Sequence, residues 1–224
     1  MEYRFKTPPI PPEFHKICHD KWRNVSSFDL GNRHLFGNET LFGDWDGDVL
    51  LILQNFAPES YVEGNIRSGH PCPYSHKDDA ITNIFLRTIF QKRLTGRHST
   101  ECGVLCVNAT HLINEGSNWS PYVPAKVIDK SLPVLDFVVT QMAKTLKLVI
   151  CCGSKSQNAW SKLEAHYMPN RHNLQIVKTY HPAARVSNEA IAASWAPVAG
   201  ALERLRPAKS KQNSQGVQRA KAAG

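Results

Sequence analysis

No stretch of this chain is apolar for long enough to cross a bilayer. Its longest apolar runs, 49–53 and 148–152, fall far short of the ~20 residues a spanning helix needs. The first twelve residues, MEYRFKTPPIPP, carry four prolines and no apolar stretch, which is not the pattern of a secretory leader. Six cysteines form no disulfide framework for a chain of 224 residues. Cys106, Cys151 and Cys152 sit inside apolar runs, where free thiols act as small hydrophobes. A reducing, cytoplasmic setting is expected. There is no CxxC pair, and Cys102 and Cys106 lie along one strand, so neither an iron–sulfur cluster nor any other cofactor is expected. No metal-ligand spacing occurs, and His76 with Lys77, Asp78 and Asp79 reads as a helix start. The Gly-x-Ser-x-Gly elbow of many hydrolases is absent, which disfavours a Ser–His or Cys–His hydrolase; Gly153-Ser154 lacks the flanking glycine. Acidic residues are also in deficit, 19 against 27 lysines and arginines, a net charge of +8. That balance keeps a protein soluble, and it also suits a polyanionic partner such as nucleic acid.

The remaining composition, 42% hydrophobic and 21% charged, is that of one globular domain. The expected domain is 1–206, with its core over 45–205. Residues 207–224 read as a disordered basic tail, and nothing marks the chain as more than a monomer. Along the domain, strand-like and helix-like patterns alternate. Residues 13–24 suit a short helix. An acidic turn, 43–48, precedes Val49-Leu50-Leu51-Ile52-Leu53, a continuous apolar run that suits a strand buried on both faces. A helix is expected over 77–94, with Ile81, Ile84, Phe85, Thr88 and Ile89 on one face. A second strand covers 103–108. Ser131 is a candidate cap for a helix bearing Leu132, Leu135, Val138, Val139 and Met142. A third strand runs over 146–152, a helix from Ser154 to about Tyr167 turns Trp160 and Leu163 inward, and a fourth strand spans 174–180. The last helix, 188–205, is expected to break at Pro197. This order predicts an α/β fold: a three-layer α/β/α sandwich around a central, mainly parallel four-stranded sheet.

In such sheets ligands bind at the carboxyl ends of the strands. Those ends carry Gln54-Asn55-Phe56-Ala57-Pro58, Asn108-Ala109-Thr110, Gly153-Ser154 and Tyr180-His181-Pro182. With these residues in place a family likeness emerges. The run 103–110, GVLCVNAT, resembles the base-reading strand of the uracil-DNA glycosylase superfamily, which ends in Asn. The run 179–185, TYHPAAR, resembles that family's His-Pro-Ser motif. The run 49–55 is similar to the strand ending in its water-activating Gln-Asp pair. The order and spacing of the three agree over roughly 45–205.

The resemblance implies a monofunctional DNA glycosylase, which flips a pyrimidine out of the helix and hydrolyses its bond to deoxyribose. His181 would donate a hydrogen bond to O2 of the leaving base as charge develops there. A strand-end histidine also serves simply as a core residue satisfied by a carbonyl. Asn108 would pair with N3 and O4 of the base, or would merely shape a turn. An ungapped alignment puts Asn55 where the family's catalytic Asp stands, to hold a water. Anchoring on Pro58 puts Ala57 there instead. Gln54 would then offer mainly backbone groups near the base. Tyr74 matches the loop that supplies a stacking ring. Arg185 stands where the family inserts a Leu into the gap left by the flipped nucleotide. Lys155, Arg171 and Lys178 are candidate phosphate contacts. Uracil-specific members carry a Tyr after the motif proline that excludes thymine. Here Glu59 follows Pro58, so a base bulkier at C5, such as a modified phage cytosine, becomes a candidate beside uracil, in repair or in defence against phage. No lysine sits in a motif as an imine-forming nucleophile, so no lyase step is expected. The competing reading is a DNA-binding module of this fold without chemistry.

Overall fold

The computed structural model describes residues 8–24, 43–70, 80–94, 103–117, 122–167 and 174–205. The N-terminal segment is not the helix expected over 13–24. A 3-10 turn, Pro12–Lys16, leads into two short strands, β1 (Cys18–His19) and β2 (Trp22–Asn24). Pro11 and Pro12 allow one turn but no longer run-in, and Asp20 reverses the chain at a φ of 47°. β2 pairs antiparallel with β5 (Leu112–Asn114). A small three-stranded sheet, β1-β2-β5, therefore stands beside the main one.

The main sheet follows the expectation closely. β3 (Val49–Leu53), β4 (Val104–Asn108), β6 (Leu148–Cys152) and β7 (Gln175–Thr179) are hydrogen-bonded in the order β4-β3-β6-β7. All three pairings are parallel. The apolar runs encode this arrangement, because a strand covered on both faces cannot alternate with polar residues. β3 and β6 are buried at every position. One face, with Leu50, Ile52, Leu105, Val107, Val149 and Cys151, packs under α3 (Ala125–Gln141) and α4 (Ser154–Tyr167). The other, with Val49, Leu51, Val104, Cys106 and Ile150, packs under α2 (Ile81–Leu94) and α5 (Asn188–Arg204). The result is the three-layer α/β/α sandwich. A short α1 (Glu59–Arg67) follows β3 and places Val62 in the first of these cores.

Three helices depart from their sequence patterns. On α2 the buried stripe is Thr82, Asn83, Leu86 and Phe90, turned around the helix from the expected face. Leu86 and Phe90 fill the core, Phe85 and Ile89 lie at its margin, and Ile81 and Ile84 are left exposed at 71% and 53%. α3 starts at Ala125, after Pro124, so Ser131 lies inside it rather than capping it. Its buried hydroxyl donates to the Val127 carbonyl at 3.0 Å and accepts from the His111 N–H at 2.8 Å. α5 is continuous through Pro197, which lies on the solvent side. Ser187 caps it, accepting from the Ala190 N–H at 3.2 Å. Among the described residues no helix is long and apolar enough to cross a membrane.

Candidate active site

In the strand order β4-β3-β6-β7 the chain winds to one side after β3 and to the other from β6. The switch point therefore lies between these two strands, and open α/β sheets bind their ligands in the crevice at the carboxyl edge of such a point. Gly153 stands at that point. It follows β6 directly and adopts a φ of 88°, a conformation that costs other residues ~1–2 kcal/mol. Its N–H donates to the Thr179 carbonyl at 2.8 Å. Its own carbonyl accepts from the Gln157 N–H at 3.1 Å and from the Ser156 hydroxyl at 2.8 Å. A side chain at this position would meet His181 Cβ at 3.4 Å and Gln54 Cδ and Nε2 at 3.5 Å. The glycine thus stands where residues from the ends of β3, β6 and β7 meet.

His181 is held from both sides in sequence. The Tyr180 N–H donates to Ser194 Oγ at 3.1 Å, and Trp195 Nε1 donates to the Tyr180 carbonyl at 2.9 Å. Both partners belong to α5. Beyond it, the Ala184 N–H donates to the His181 carbonyl at 2.9 Å, closing a turn around the buried Pro182. The ring also takes part: His181 Nδ1 accepts from the Ala183 N–H at 3.1 Å. An accepting Nδ1 carries no proton, so in its neutral form the ring holds its hydrogen on Nε2, which is then the nitrogen able to donate.

Asn108 ends β4, level with Leu53 of β3. Gln54 and Asn55 follow Leu53, so Asn108, Gln54, Asn55, Gly153 and His181 all stand at the carboxyl edge of one sheet. Asn108 also lines a recess with Phe56, Thr110, His111 and Ser131. That recess has room for about one water molecule, and His181 is not among its walls. Asn55 is half-buried, and its Nδ2 donates to the Phe56 carbonyl at 3.0 Å. Ala57 is 2% exposed and packs as a core methyl. Glu59 opens α1, with its carboxylate accepting from the Gly116 N–H at 3.2 Å and facing Arg23 at 3.8 Å.

Of the cationic candidates, Arg185 is exposed in the loop between the His181 turn and α5. Lys178 is exposed on β7, opposite Cys151. Lys155, in the first turn of α4, places its ammonium 4.8 Å from the centroid of the Tyr122 ring. Tyr74 and Arg171 lie outside the described residues, as does the tail 207–224.

Two further groups beside the site carried little sequence signal. Thr110 is fully buried, with its hydroxyl lacking a hydrogen-bond partner. In His111 burial, reinforced by the charge of His15, holds the imidazole down to about 4. A Thr-His pair, one residue removed from a strand-ending Asn, was their only signal. Burial also pushes the Cys151 thiol up to about 12, and the Cys152 thiol up as well. Neither is a thiolate nucleophile at neutral pH. Among the described residues no cluster of His, Cys, Asp or Glu is arranged to hold a metal ion.

No family model matches the chain, and no curated protein matches it. Among solved structures it is similar to wild-type SMUG2 of Pedobacter heparinus, at 15% identity over 71% of this chain and 76% of that one, with a TM-score of 0.42. A likeness that distant decides neither family nor activity.

Proposed function

We propose that the chain is a monofunctional DNA glycosylase that extrudes a pyrimidine into the crevice at the carboxyl edge and hydrolyses its bond to deoxyribose. The observation that carries this reading is the hydrogen bond that His181 Nδ1 accepts from the Ala183 N–H at 3.1 Å. With Nδ1 accepting, a neutral ring carries its proton on Nε2, where it stabilises negative charge arising on O2 of a departing base. A neutral donor suits this role, since no proton need leave before the bond breaks.

The other roles follow from placement. Asn108 offers a donor and an acceptor for the base edge. Asn55 retains a second N–H and a carbonyl with which to hold a water, while Ala57 offers only a buried methyl; the water-positioning role is therefore given to Asn55. Gln54 lies beside Gly153 and His181 and contributes to the wall for the base, with Tyr74 as the stacking ring. Arg185, Lys178, Lys155 and Arg171 supply cations for phosphate. The carboxylate of Glu59 is engaged by Gly116 and Arg23, which favours a site open to a base larger than uracil at C5.

The test is a panel of oligonucleotides holding uracil, thymine or glucosylated hydroxymethylcytosine, with abasic sites scored after alkaline cleavage. Excision from at least one substrate is expected, with a loss of ~100-fold or more in His181→Ala. Retention of the full rate in that variant would overturn the assignment. DNA binding with no abasic product on any substrate would favour the non-catalytic module.

A further inference from the structure

Tyr122 is exposed at 77%, more than any other large apolar side chain among the described residues. A ring that gains so little from burial should be loosely held, yet Tyr122 is fixed twice. Its backbone leads straight into Val123, which is 2% exposed, and Pro124, whose φ of −64° starts α3. Its ring lies under the ammonium of Lys155, 4.8 Å from the centroid, an attraction between the cation and the ring's negative face.

The pair stands at the carboxyl edge of the sheet. α3 and α4 both begin at the carboxyl edge. Lys155 is two residues beyond Gly153, so their Cα atoms are at most ~7.6 Å apart. Gly153 in turn adjoins His181 and Gln54. Tyr122 therefore stands by the amino ends of α3 and α4, at the same edge of the sheet as the site to which the extruded base is assigned.

We propose that Tyr122 is a stacking platform for an unpaired nucleotide flanking the extruded one, with Lys155 both pinning the ring and meeting that nucleotide's phosphate. The inference rests on the reading of the crevice as a DNA site. Stacking on an aromatic face is indifferent to base identity. A base still stacked in a duplex has no face to offer, so the platform engages a strand that is single or locally unpaired. An ammonium has three hydrogens, and those turned away from the ring can reach a phosphate oxygen.

The experiment uses the full chain with His181→Ala, so that no product forms during measurement. Single-stranded oligonucleotides carry 2-aminopurine on either side of the target pyrimidine, and stacking is read as fluorescence quenching. Quenching is expected on one side of the target. Adding Tyr122→Ala should abolish it and weaken binding about ten-fold, while Tyr122→Phe should retain both. Lys155→Met should weaken binding and reduce quenching. The ring is exposed, so Tyr122→Ala should leave the melting temperature unchanged, which separates a lost platform from a lost fold. Quenching and affinity unchanged in Tyr122→Ala would overturn the proposal, as would no binding to single strands at all. Quenching that depends on Tyr122 in a protein whose parent excises no base would sustain the platform and remove the catalytic reading.

Discussion

Gly153 and His111 show how single residues tie stability to a local constraint, a backbone angle in one and burial of a titratable ring in the other. At Gly153 an added Cβ would meet its neighbours at 3.4 and 3.5 Å, ordinary contact distances, so the cost of Gly153→Ala lies in the backbone. Its φ of 88° predicts a loss of ~1–2 kcal/mol, or roughly 2–8 °C in melting temperature for a domain of this size. Differential scanning calorimetry reads this directly. His111 makes stability depend on pH. Burial lowers its folded-state value to about 4, whereas the unfolded chain titrates near ~6.5. Between these values the unfolded state binds the proton more readily. The contribution is therefore whole above pH 6.5, declines as the pH falls towards 4, and stays flat below. In total it amounts to about 3 kcal/mol. Denaturant titrations at pH 7 and pH 4.5 should show a smaller difference in His111→Gln than in the parent chain. Equal slopes would mean that the ring is not kept neutral by the fold.

At the scale of elements, α5 both covers the sheet and aims the site. Its Ser194 and Trp195 hold the backbone on either side of the Tyr180 peptide plane, and Trp195 is also core, 2% exposed and edge-on to Phe85 at 5.0 Å. Position of the histidine and packing of the helix are thus one device. Pro197, ten residues into the helix, was expected to break it. It does not, because the proline sits on the exposed face, where neither the ring nor the lost N–H disturbs the core. An interior proline still removes a hydrogen bond at ~3 kcal/mol, offset in part by a stiffer unfolded chain. Pro197→Ala should therefore stabilise the protein by about 1–2 kcal/mol in urea denaturation. A destabilised variant would show that the helix is shaped around the proline.

Over the whole molecule, exposed apolar groups gather on one side. Arg93, near the end of α2, pairs with Asp48 at 2.8 Å, just before β3, so α2 ends at the amino edge and begins at the carboxyl edge. Ile81 and Ile84 from that start, Tyr122, Tyr180 and Val186 are the exposed large hydrophobics among the described residues, and all five border the carboxyl edge. Cations at the same edge and the net charge of +8 are in keeping with the proposed DNA partner. Binding to DNA should weaken linearly with the logarithm of salt, and Arg185→Ala should flatten that slope by about one unit on every sequence. Fluorescence anisotropy between 50 and 200 mM salt measures it. A slope indifferent to Arg185 would take that residue out of the interface.

Local pattern alone determined the four parallel strands and the residues at their ends, because a strand buried on both faces must be apolar throughout. It also carried Ser154 as the start of α4 and the inward turn of Trp160 and Leu163, since these depend on neighbours a few positions away. Other features depended on contacts distant in sequence. The choice of Leu86 and Phe90 over Ile81 and Ile84 was made by the space between α2, α5 and the sheet. Ser131 reads as a cap until His111 is brought against it. The strands β1, β2 and β5 are too short to announce themselves before they pair. The meeting of Gln54, Gly153 and His181 belongs wholly to the tertiary structure, for only the sheet order β4-β3-β6-β7 sets the ends of β3 and β7 on either side of β6.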